Sequence, residues 1–157
     1  KVYMEEKDWL QLMSEENQIQ KVLQTNQFTE AFGLTLSEED AQLLVQERGT
    51  NLKEQQRVEF GEGILAKLVV GFCDSPNIWQ ENYVEMLERL QEIFYLYKNE
   101  SMDELTDDEL IAYMREKFDG ECHGDPDYLE DTVLEDFARN IRASTRKYIG
   151  RYRREEE

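Results

Sequence analysis

Apolar residues recur along most of this chain at spacings of three and four, the period of an α-helix that buries one face. The pattern is strongest between residues 79 and 97. Trp79, Tyr83, Met86, Leu87, Leu90, Ile93, Phe94 and Tyr97 fall within an arc of about 120° when successive residues turn by about 100°. Val84, Tyr95 and Leu96 add apolar surface outside that stripe. A helix that is apolar on more than one side belongs at the centre of a bundle. Leu90, in mid-stripe, is therefore a predicted core residue.

Other helices follow from their start and stop signals. Ser14 with Glu15 and Glu16 predicts a helix start, with Ile19, Val22 and Leu23 as its buried face. Phe28, Ala31 and Phe32 form a second short face, stopped by Gly33. Ser37 followed by Glu38, Glu39 and Asp40 is a hydroxyl cap leading into acids at the positive end of a helix dipole. That helix is expected to end at Gly49. Arg57 to Phe60 alternates as a short extended piece would, and Ile64 to Phe72 opens an apolar helix that stops at Asp74-Ser75-Pro76. Thr106-Asp107-Asp108-Glu109 is a capping box, with Leu110, Ile111, Met114 and Phe118 behind it. A last helix carries Val133, Leu134, Phe137, Ala138, Ile141 and Tyr148 on one side. The expectation is an all-α, single-domain bundle of about five to seven helices spanning residues 1–157, frayed at 1–8 and 155–157.

The charge is lopsided, with 36 acidic against 18 basic residues and a formal net charge of −18. High charge alone suits a disordered chain, but 11% aromatic residues and a helical apolar period call for a packed core under an acidic surface. Such a surface repels nucleic acid and anionic lipid, which speaks against both as partners. The longest apolar run, Ile64 to Cys73, is about half the length that crosses a membrane and is interrupted by Lys67. Lys1 to Asp8 hold no apolar signal core. Cys73 and Cys122 stand far apart with no Cys-x-x-Cys spacing, as reduced thiols in a cytoplasmic protein do.

Candidate chemistry is sparse. With one histidine, His123, there is little from which to build a general base. Cys122 adjoins His123, but chain neighbours rarely point at one another, and Cys73 closes an apolar helix. Both thiols are expected to act as small hydrophobes rather than nucleophiles. Gly61-Glu62-Gly63 lacks both the third glycine of a dinucleotide turn and the Gly-Lys-Ser/Thr of a phosphate loop, so a bend or close packing is expected there. One stretch, Asp119 to Glu130, has ligand-like spacing. Laid on the EF-hand loop, Asp119, Glu121, His123 and Asp127 take the first, third, fifth and ninth places. Gly124 takes the sharp turn, and Glu130 the closing carboxylate. His123 offers nitrogen where Ca²⁺ prefers oxygen, and Pro126 removes a backbone donor. The expectation is a helix–helix connection that binds Ca²⁺ weakly or not at all, with no cofactor.

The C-terminal stretch inverts the charge. Arg139, Arg142, Arg146, Lys147, Arg151, Arg153 and Arg154 come with no acid among them, leaving 11 basic against 36 acidic residues elsewhere, a net −25. Arg139, Arg142, Arg146 and Arg153 share one helix flank. Two readings stand: a basic helix laid on an acidic body through Phe137, Ile141 and Tyr148, or a docking strip for an acidic partner or nucleic acid. Because exposed ion pairs contribute only about 0–1 kcal/mol each, reversing Arg142 and Arg146 together is expected to leave the fold nearly intact.

Several strings carry a resemblance: Phe32 to Glu39, Val58-Glu59-Phe60-Gly61, Phe72-Cys73-Asp74-Ser75-Pro76, Leu90 to Tyr95, and Asp107 to Ile111 with Met114. Over roughly residues 28–142 the chain resembles an uncharacterised family of short helical bacterial proteins of unknown function, found mainly in anaerobic Gram-positive bacteria. The resemblance implies a bacterial cytoplasmic protein and brings no activity, cofactor or catalytic residue. The functional expectation is a non-enzymatic binding or adaptor protein with an unidentified protein partner. The alternatives are an enzyme using carboxylates or a divalent metal ion, and an acidic mimic of nucleic acid.

Overall fold

The computed structural model describes residues 6–59 and 63–144, with side chains from Ser14 onward. The fold is all-α: α1 Glu6–Gln24, a short α2 Asn26–Thr29 continued by a 3₁₀ turn Glu30–Phe32, α3 Glu38–Glu54, α4 Ile64–Phe72, α5 Tyr83–Glu100, α6 Asp107–Asp119 and α7. α7 starts at Pro126–Tyr128, passes through a π-helical segment Leu129–Leu134 and continues as α-helix over 135–144. No strand occurs among the described residues, and 57–59 are irregular; Phe60 lies outside them. The residues gather into two compact units, Lys1–Gln91 and Glu92–Glu157, and the division falls within α5.

Local chemistry explains the helix starts. Ser37 Oγ accepts the Asp40 N–H at 3.0 Å while the Asp40 carboxylate accepts the Ser37 N–H at 3.0 Å, and Thr106 and Glu109 repeat this exchange at 3.1 and 3.2 Å. Each pair satisfies donors that a helix start leaves orphaned. Two expected boundaries are corrected. Ser14 is no cap, because α1 runs through it. Gly49 is no stop, because α3 continues to Glu54. A glycine inside a helix costs only about 1 kcal/mol, which the packing of the flanking turns offsets. The helix ends where Gln56 takes a left-handed φ of 55° and the Arg57 N–H returns to the Leu52 carbonyl at 2.9 Å.

In the first unit α1 packs on α3 and α4, and α3 on α4. Its core holds Val22, Leu44, Leu65, Leu68, Phe72, Tyr83, Leu87 and Leu90, each at most 1% exposed. Residues 34–36 run between helices without a ladder, yet their peptides are paired by side chains. Thr29 Oγ1 donates to the Leu34 carbonyl at 2.8 Å. The Gln80 amide exchanges two bonds with Thr35, at 2.8 and 3.0 Å, and the Asn26 amide exchanges two with Leu36, at 2.8 and 2.9 Å. These bonds let Leu34 and Leu36 be buried without stranding backbone groups.

The start of α4 depends on an ion pair. Glu59 accepts Arg48 Nε at 2.7 Å with one oxygen and the Ile64 N–H at 2.6 Å with the other. Both side chains are about nine-tenths buried. Gly63, just before α4, bears out the close packing expected of the glycine pair, since a Cβ there would strike the Gln18 amide; Gly61 and Glu62 lie outside the described residues. α5 bears out Leu90 as core, fully buried. Trp79 corrects the predicted stripe. It precedes a 3₁₀ turn Gln80–Asn82, its N–H bonded to Asn82 Oδ1 at 2.9 Å, and its ring is 53% exposed.

In the second unit the core is Ile93, Phe94, Tyr95 and Tyr97 of α5, Leu110, Met114 and Phe118 of α6, and Leu129, Leu134 and Ala138 of α7. Lys98, 8% exposed, donates to the Leu105 carbonyl and pairs with Asp107 at 3.0 Å, tying the end of α5 to the first turn of α6. Glu59→Ala should cost about 3–5 kcal/mol, because it strands the Arg48 charge in the interior and uncaps α4. Urea unfolding checks this; a midpoint and slope equal to those of the parent protein would show that the pair holds nothing.

Candidate functional site

The Asp119 to Glu130 stretch folds as a connection between helices. Asp119 is still the last residue of α6, and α7 begins at Pro126, so no open twelve-residue loop exists. The turn closes on the end of α6: the Cys122 N–H returns to the Lys117 carbonyl at 3.0 Å and the Gly124 N–H to the Phe118 carbonyl at 2.7 Å. His123 and Gly124 make this possible with φ of 50° and 80°. The acids are engaged locally. Asp119 pairs with Arg115 at 2.5 Å and Glu121 with Lys117 at 2.9 Å, and Asp125 caps α7 by accepting the Asp127 N–H at 2.9 Å. The structure does not bring Asp119, Glu121, His123, Asp127 and Glu130 together, and no group of three or more such side chains placed to hold a metal ion occurs among the described residues.

The thiols are separate and buried. Burial, then the nearby Glu121 and Asp125 carboxylates, push the Cys122 thiol up, away from the nucleophilic thiolate. Cys73 donates to the Val70 carbonyl at 3.5 Å. Near it stands Tyr83, whose hydroxyl has no hydrogen-bond partner in bonding geometry among the described residues. Burial raises that phenol to about 12; Thr29 Oγ1, already committed to the Leu34 carbonyl, tempers the rise.

The basic flank divides. Arg142 is two-thirds or more buried and bridges Glu100 at 2.5 Å and Glu135 at 3.0 Å. Glu135 stands 3.3 Å from the hydroxyl of Tyr97, which donates to the Glu130 carbonyl at 2.5 Å within the π segment. A π segment shifts the backbone ladder, and a side-chain donor that inserts there satisfies a displaced carbonyl. Burial first, then Glu135, raise the Tyr97 phenol far above its ordinary value. Arg142 is thus tied to two carboxylates of the fold, a contact that the expectation for the joint reversal with Arg146 did not include. Arg139 is 65% exposed, and among the described residues its ion-pair contacts are long, 3.5 Å to Asp136 and 3.9 Å to Glu135. Phe137 is half-buried, stacked on Tyr113 with centroids 4.5 Å apart. Arg146, Arg153 and Tyr148 lie outside the described residues.

The surface feature that sequence reasoning missed is aromatic. Phe28 and Phe32, expected as a buried face, are 53% and 47% exposed, with ring centroids 6.0 Å apart. Trp79 is equally exposed, and the residue after it, Gln80, makes the two-bond pair with Thr35, three residues beyond Phe32. The pair therefore brings the Phe32 and Trp79 segments side by side. Across 28–40 and 74–85 the chain has seven acids, Glu30, Glu38, Glu39, Asp40, Asp74, Glu81 and Glu85, and no base.

Among family models, the chain matches one described as a family of unknown function, DUF6323, over residues 21–147. No curated protein and no solved structure matches it. Arg142→Glu should cost about 1–3 kcal/mol, since it sets a third carboxylate between Glu100 and Glu135, whereas Arg139→Glu should change stability by about 0.5 kcal/mol or less. Thermal unfolding at low and high salt separates them; equal effects would return Arg142 to the free surface.

Proposed function

The chain belongs to a family of unknown function, and on that premise we propose that it is a non-enzymatic binding or adaptor protein, meeting a protein partner in the bacterial cytoplasm. The observation that carries this reading is the exposure of Phe28, Phe32 and Trp79 on adjoining segments. Burying large apolar groups is the main drive of folding, so leaving three aromatic rings half in water forgoes stability. Aromatic rings are also the side chains that anchor protein interfaces. The charged groups at the ligand-like loop and at Arg142 support the same reading, because they are engaged in caps and ion pairs that shape the fold. Two separate, buried thiols suit a reducing compartment. No described helix is long and apolar enough to cross a membrane.

The test is a comparison of tagged parent protein with the triple variant Phe28→Ser, Phe32→Ser, Trp79→Ser as baits in an extract of the bacterium that encodes the chain. Exposed positions tolerate substitution, so the variant should keep its helical circular dichroism. At least one protein should be retained by the parent and lost from the variant. Identical retained sets would overturn the reading.

A further inference from the structure

We propose that the surface around Phe28, Phe32 and Trp79 recognises a segment rich in arginine or lysine on a partner protein; this rests on the binding reading above and names the chemistry of the partner. The argument is charge complementarity laid over exposed aromatic faces. The two segments that the Thr35–Gln80 pair holds side by side carry seven acids and no base, a local imbalance steeper than that of the whole chain. Asp40 caps α3 and Asp74 is itself engaged, while Glu30, Glu38, Glu39, Glu81 and Glu85 are exposed. A like-charged or purely apolar partner would have to desolvate those carboxylates without replacing their water. A guanidinium or ammonium group meets them as an ion pair, and it also rests well on the face of an indole or phenyl ring. Phe28 and Phe32, tilted by 54° with centroids 6.0 Å apart, and the Trp79 ring offer such faces. The backbone beneath is fixed. Thr29, Asn26 and Gln80 bond residues 34–36, and Gly33 ends the Glu30–Phe32 turn in the left-handed region with φ of 77°. A pre-set surface of this kind loses little freedom when it binds.

Three synthetic peptides of one helical sequence serve as probes, one with four arginines on one face, one with citrulline at those positions and one with glutamate. Binding to the full chain is measured by calorimetry at low and raised salt. The arginine peptide should bind and weaken as salt rises. The citrulline peptide should bind at least about tenfold more weakly, a difference of about 1.4 kcal/mol. Trp79→Ala and the pair Phe28→Ala, Phe32→Ala should each weaken the arginine peptide at least about fivefold with unchanged circular dichroism. Equal binding of the arginine and citrulline peptides, or binding indifferent to the aromatic substitutions, overturns the proposal. So does sedimentation equilibrium showing that the same substitutions dissolve a self-associated parent protein, since the occupant would then be a second copy. If the peptides fail while the triple variant still loses its retained protein from the extract, the binding reading survives and the cationic partner falls.

Discussion

The constraint on which the structure turns is the apolar girth of α5. Tyr83, Leu87 and Leu90 at its start and Ile93, Phe94, Tyr95 and Tyr97 at its end are all at most 3% exposed, and they point in more than one direction around the helix axis. Water cannot be excluded from such a helix by a single neighbour. The first part of α5 supplies core to the unit built from α1, α3 and α4, and the second part to the unit built from α6 and α7. Polar groups buried on α5 are only partly paired: among the described residues the Tyr83 hydroxyl and Gln91 Oε1 have no hydrogen-bond partner. Gln91, fully buried, donates to the Leu44 carbonyl at 3.2 Å, and Tyr97 reaches the π segment of α7.

What was legible in the sequence was what is local. The hydroxyl caps Ser37 and Thr106 and the apolar period of α4, α5 and α6 need only a turn or two of chain to declare themselves. What escaped depends on distant partners. Glu59 reads as one more surface acid until Arg48, eleven residues back, is placed beside it. Asn26 carries no signal in the sequence and Gln80 falls within the predicted helix of 79–97, yet each supplies an amide to a peptide 10 or 45 residues away. Phe28, Phe32 and Trp79 failed in the opposite sense. Periodicity says which residues share a side of a helix and not whether another element covers that side, so their exposure became visible only with the neighbours in place.

The same distinction governs the candidate site. Spacing gave the acids of 119–130 a ligand-like pattern inside an expected helix–helix connection, and left the basic flank open between docking on the acidic body and a strip for a partner. Folding assigns Asp125 to a helix cap, Asp119 and Glu121 to neighbouring cations, and Arg142 to two glutamates. Charged residues one turn apart on a helix, or just before one, find each other first. The aromatic rings are a different case, since their exposure yields nothing to stability, and this is why the functional proposal rests on them.

Native-state hydrogen exchange followed amide by amide tests the central claim most directly, that burying α5 holds the fold together. The amides of Leu87, Leu90, Phe94 and Tyr97 should be the last to exchange and should open only with global unfolding, their opening free energy equal to that from urea unfolding. Exchange of those amides through local opening at clearly lower free energy, while amides of α4 or α6 stay protected, would contradict it.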